Sequence, residues 1–196
     1  VEKTLIYLPV LAYFTIFPRT EVITAALIFT IYPAFLPPTR KIRHRNLFQF
    51  TKKSRIFTLI LFLLIILLPV FYEQSPGLPE ILISIFAIAI PEEYFFRYIY
   101  FQLPAKTPFH NDTNPQKLHR LANELLPCLN NGLIFMLFHL AVRPGILSAL
   151  TFFPGMLLAL VYRKTGDFML CCALHVFMNL LFFTFLQKKL IFLLPA

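Results

Sequence analysis

Long apolar blocks are the feature that most constrains this chain. They fall at about residues 5–17, 22–36, 56–72, 81–103, 128–142, 146–162 and 168–185, and only short polar connections separate them. Apolar residues come in runs here instead of alternating with polar ones, which removes the half-buried strand from consideration. A helix needs about 20 such residues to cross the hydrocarbon core of a bilayer. The expected fold class is therefore all-α: a polytopic transmembrane helical bundle of about seven spanning or partly spanning helices. The first two blocks are short for a full crossing, so one of them is expected to be tilted or incomplete.

Composition agrees with a bilayer as solvent. Hydrophobic residues make up 58% of the 196 and charged residues 14%, against about a quarter charged in an ordinary soluble domain. No internal repeat and no Gly/Ser linker divides the chain, so residues 1–196 read as one membrane domain. Within it, 1–78 holds the N-terminal helices and a basic loop, and 81–185 holds the candidate core of the function. No basic leader or small-residue cleavage site marks the first block as a signal peptide.

The net charge is +9, from 18 Lys and Arg against 9 Asp and Glu. The basic residues gather in connections, above all RKIRHRNLFQFTKKSR at 40–55. Such loops belong on the cytoplasmic side and gain from anionic lipid head groups, so the charge calls for a lipid partner and no nucleic acid. If the last five blocks alternate, loops 40–55 and 105–127 and the Arg163–Lys164 pair share that side, whereas Lys188 and Lys189 oppose it. The second half of the 105–127 connection could form an interfacial helix. Cys128, Cys171 and Cys172 show neither an even framework nor CxxC spacing and read as small packing residues. Compact loops and a short chain point to a multi-pass protein of a prokaryotic cytoplasmic membrane, of undetermined oligomeric state.

Against this background a few polar residues stand out. A charge at mid-bilayer costs at least ~2.5 kcal/mol, so such residues usually face a cavity and mark function. The fourth block carries Glu92, Glu93 and Arg97, the fifth His139, and the seventh His175 and Asn179. Glu93 and Arg97 are four apart, on one helix face with the acid first, the favourable order. They read as a structural ion pair. Glu92 is turned about 100° away and lacks a local cation, which makes it the candidate general base. His175 and Asn179 are also four apart. One carboxylate, two imidazoles and an amide from three helices can converge on a water-filled pocket able to activate water and hold an oxyanion. The plain alternative is interhelical hydrogen bonding, but it needs three separate coincidences.

Other proteolytic chemistries lack their residues. There is no HExxH; Ser54, Ser75, Ser84 and Ser148 lie in no GxSxG context; and the only aspartates, Asp112 and Asp167, fall in connections.

EEYFFR at 92–97, FMLFH at 135–139 and HVFMN at 175–179 resemble the EExxxR, FxxxH and HxxxN motifs of the CPBP intramembrane protease family, which includes the type II CAAX prenyl proteases and bacterial proteins linked to bacteriocin processing or immunity. YRKTGDFML, before the last motif, resembles the family's approach to it. The resemblance covers roughly residues 81–185. It implies that Glu92 activates water, that His139 positions this water or the scissile carbonyl, and that His175 and Asn179 bind the oxyanion. Glu93 and Arg97, with Phe135 of the second motif, would support the site. The expected mechanism uses no metal and neutral histidines. Zinc on Glu92, His139 and His175 is the alternative.

The resulting expectation is an intramembrane endopeptidase acting on a membrane-associated or lipid-anchored protein or peptide. A non-enzymatic immunity or scaffold protein that keeps the fold is the alternative. A transporter with Glu92 as proton relay is disfavoured by the short chain without repeat halves. His139, near the end of the fifth block as drawn, sits at a different depth from Glu92 unless that helix starts earlier, near Leu121, or Pro127 and Pro144 bend the segments.

Overall fold

The computed structural model describes residues 7–16, 22–35, 52–71, 77–102, 117–182 and 184, and among these every regular element is helical. Helix α1 is Leu8–Ile16, and α2 is Val22–Ile31, tightening into a 3₁₀ turn at Tyr32–Phe35. Helix α3, Lys52–Phe71, starts inside the basic connection. Helix α4 runs over 78–102, where α-helical pieces alternate with two wider π stretches, Ser84–Ala89 and Tyr94–Ile99. Pro91, with no N–H to give, lies between the two π stretches. Helix α5 is Lys117–Val142; α6 (Ile146–Leu150) and α7 (Phe152–Thr165) follow one another through Thr151; α8 is Phe168–Leu181.

The all-helical reading holds for the described residues, and the helices follow the apolar blocks closely. Two segments are long and apolar enough to cross a membrane, Glu124–Val142 with 19 residues and Ile146–Thr165 with 20; Ser54–Ile65 and Phe168–Leu181 are shorter apolar helices. The fifth block needs correction. Its helix begins at Lys117 instead of residue 128 and continues through Pro127, which leaves out one ladder bond without ending the helix. His139 thereby lies five turns or more into a 26-residue helix. The same extension replaces the separate interfacial helix expected before it. Most of the basic 40–55 loop, the 103–116 connection and the tail with Lys188 and Lys189 lie outside the described residues.

Burial on α3 is inverted relative to a water-soluble helix. Ser54, Thr58, Leu61 and Ile65 form its buried stripe, while Ile56, Phe57, Leu59, Ile60, Leu63 and Leu64 are exposed. Water would penalise so large an apolar face; hydrocarbon does not. Helix α3 packs on α8, α7 packs along α5, and α4 touches α2, α5 and α8.

Two local signals place the helices of the site. In KTGDF, Gly166 takes the left-handed conformation (φ 66°) that ends α7. Asp167 then caps α8, its carboxylate accepting from the Leu170 N–H at 2.9 Å. Between α5 and α7 the backbones nearly touch. A Cβ on Gly132 would lie 2.9 Å from the Phe152 carbonyl oxygen, and one on Gly155 would lie 2.9 Å from Phe135 Cδ1. Small residues permit this close approach, and it presses Phe135 toward α4 and α8. The cysteines Cys128, Cys171 and Cys172 are free and buried, as packing residues would be.

Candidate active site

Helix α4 contributes three of the charged groups. Glu93 and Arg97 are both fully buried, and their ion pair across one turn has Nε 3.2 Å from Oε2, as the spacing predicts. The other carboxylate oxygen of Glu93 is not idle: Oε1 lies 2.9 Å from Nδ1 of His175 on α8. A carboxylate facing Nδ1 fixes the proton there, so His175 donates from Nδ1 and turns Nε2 toward Glu92, whose Oε2 is 3.8 Å away. Glu92 is therefore not without a basic neighbour, as its helical position alone suggests. At 3.8 Å the two atoms are not hydrogen-bonded.

The two adjacent glutamates differ in access. Glu93 has 0% of its side chain exposed and Glu92 has 15%. Glu92 Oε2 is nonetheless buried and has no hydrogen-bond partner among the described residues. Glu93 is thus tied into the protein, and Glu92, with a partly exposed side chain, has a buried acceptor to spare.

Helix α5 supplies the other wall. Phe135 stacks its ring 4.9 Å below the Arg97 guanidinium carbon, a cation–π contact that covers a buried charge. The same ring lies 4.4 Å from the His139 ring and 5.9 Å from the His175 ring. His139, half-buried, gives its Nδ1–H to the Phe135 carbonyl at 2.9 Å, which leaves Nε2 as an acceptor in the neutral ring. Asn179 lies one turn beyond His175 on α8, half-buried. The structure therefore gathers Glu92, Glu93, Arg97, Phe135 and His175 in direct contact, with His139 adjoining through Phe135.

Asn131 has no place in the sequence-derived set. It is fully buried on α5; its Oδ1 accepts from Arg97 Nη1 at 2.7 Å, and its Nδ2 donates to the Phe96 carbonyl. A signal for it exists: Asn131, Phe135 and His139 are spaced by four and share one helix face. With the block drawn from residue 128, Asn131 looks like polar material near a helix end.

Glu92, His139 and His175 are the residues named for a zinc ion in the alternative reading. Among the described residues no three His, Cys, Asp or Glu side chains form a group able to hold a metal ion.

The fold and the site together define a class: a helical protein with a lipid-compatible surface that buries a carboxylate–imidazole–guanidinium cluster between its helices. The chain belongs to the Rce1-like type II CAAX prenyl endopeptidase family, whose family model matches residues 73–181. This is a family of membrane-embedded proteases, and the matched segment contains all three motifs. No curated protein and no solved structure matches the chain.

Proposed function

We propose that this protein is an intramembrane endopeptidase that hydrolyses a peptide bond of a membrane-associated or lipid-anchored protein, with water activated by Glu92. The observation that carries the reading is the contrast within the carboxylate pair: Glu93 is sealed and paired, while Glu92 is partly open with a free buried oxygen beside His175 Nε2. In the reaction, Glu92 takes a proton from water as its oxygen bonds to the scissile carbonyl carbon. The carbonyl electron pair moves onto its oxygen. His139, through Nε2, holds the water in line. His175 and Asn179 receive the oxyanion. Because His175 already spends its Nδ1–H on Glu93, its donation to an oxyanion requires a second proton on Nε2, with the carboxylates of Glu92 and Glu93 on either side as countercharge. The C–N bond then breaks, and Glu92 returns its proton to the leaving amine.

The bilayer is the expected surrounding, and a multi-pass bundle the expected arrangement. Full-length protein in liposomes, given a prenylated CAAX peptide and in parallel a membrane-anchored peptide library, tests this directly. Cleavage by wild type that disappears in Glu92→Gln supports the reading; cleavage that persists in Glu92→Gln overturns it.

A further inference from the structure

We propose that Asn131 is a positioning residue for this site, acting on His175 through Arg97 and Glu93. The inference rests on the glutamate–water reading for its catalytic meaning, but its structural link stands on distances alone. One amide makes two opposed contacts. Its oxygen holds the Arg97 guanidinium at 2.7 Å, and its nitrogen holds the Phe96 carbonyl one residue earlier in α4. The amide cannot be turned over, since that would set donor against donor and acceptor against acceptor.

The contact to Phe96 falls where α4 departs from regular geometry. In an α-helix the Phe96 carbonyl would accept from the Tyr100 N–H. Here the Tyr100 N–H is given to the Arg97 carbonyl at the end of the π stretch, and Asn131 donates to the Phe96 carbonyl. Asn131 thus secures both the backbone that aims Arg97 and the guanidinium itself.

The consequence runs along a chain of contacts. Arg97 Nη1 is held by Asn131, so Nε stays against Glu93 Oε2, and Glu93 Oε1 stays on His175 Nδ1. That last bond sets the ring plane and puts Nε2 beside Glu92. Among the described residues neither Nη2 nor Nε of Arg97 makes a hydrogen bond, so beside the Glu93 ion pair and the Phe135 ring the guanidinium is anchored through Nη1 on Asn131. Releasing it frees Glu93 to turn, and His175 loses its defined orientation. Catalytic groups fixed in this way must be held to within a fraction of an ångström.

The test uses full-length protein in lipid nanodiscs with ¹⁵N-labelled histidine, comparing wild type, Asn131→Ala, Asn131→Asp and Arg97→Ala. Imidazole ¹⁵N spectra report the Nδ1–H of His175 on a carboxylate, assigned by its loss in His175→Gln. The expected result is that this signature disappears or broadens in Asn131→Ala and in Asn131→Asp, whose carboxylate keeps the Arg97 contact but repels the Phe96 carbonyl. The Asn131→Ala/Arg97→Ala double variant should show no more change than Arg97→Ala alone. In the peptide cleavage assay, kcat should fall about 10- to 100-fold with KM changed less than threefold, the size of supporting-shell losses around ordered sites. An unchanged His175 signature in folded Asn131→Ala and Asn131→Asp overturns the inference, whatever the activity. Retained cleavage in Glu92→Gln would overturn the glutamate reading and leave the spectroscopic arm to decide the role of Asn131.

Discussion

Helix α4 borders two regions that are held together in opposite ways. On one side Phe95 and Phe96 join Tyr7, Phe14, Phe29 and Phe138 in a cluster of edge-on and stacked rings. On the other side Glu93, Arg97, Asn131 and His175 form a chain of directed polar contacts. The aromatic side gains from area and from many weak ring contacts, each worth about 0.5–1.5 kcal/mol, so no single member decides the fold. The polar side has few contacts, and losing one leaves a buried charged group short of a partner. The aromatic region should tolerate exchange, and the polar region should not.

The sharpest way to break this contrast is Glu92→Gln. It keeps the shape and removes the base, and a drop in kcat of about 10²–10⁴-fold is expected, the range for a positioned general base; the thermal midpoint in detergent should barely move. Arg97→Leu comes next and acts on stability. Removing the cation leaves Glu93 buried without its partner, at a cost of about 3–5 kcal/mol, read as a large fall in the denaturation midpoint. If Arg97→Leu were as stable as wild type, the polar chain would not be structural. Gly155→Ala should cost about 1–3 kcal/mol by overpacking, because its Cβ meets Phe135 at 2.9 Å; it should also lower cleavage, since Phe135 backs Arg97 and both histidines. The smallest effect is expected on the aromatic side. Tyr7→Phe loses only the bond from its hydroxyl to the Phe95 carbonyl, about 0.5–1.5 kcal/mol, with cleavage unaffected. A Tyr7→Phe loss of activity equal to that of Gly155→Ala would erase the distinction between the two regions.

The sequence made the helices and the Glu93–Arg97 pair legible because both depend on neighbours along one segment: apolar run length in the first case, i,i+4 spacing in the second. It also singled out His139 and His175, since a polar residue in an apolar run is conspicuous. It did not show that His175 is bonded to Glu93, 82 residues away, because helical periodicity gives a side chain's face and not its partner. Asn131 escaped for a related reason. Its role depends on where α5 begins and on its contact with the Phe96 carbonyl in a π stretch of α4, 35 residues away, and neither is written in spacing.

The close pass of α5 and α7 has a further consequence for traffic. Where Gly132 and Gly155 bring the two backbones together, there is no width for an extended chain, which occupies about 4.7–4.9 Å even between neighbours in a sheet. That seam is a closed wall at the level of Phe135. Any extended chain that reached Glu92 would have to enter along another side of the bundle, with the Phe135 side closed to it.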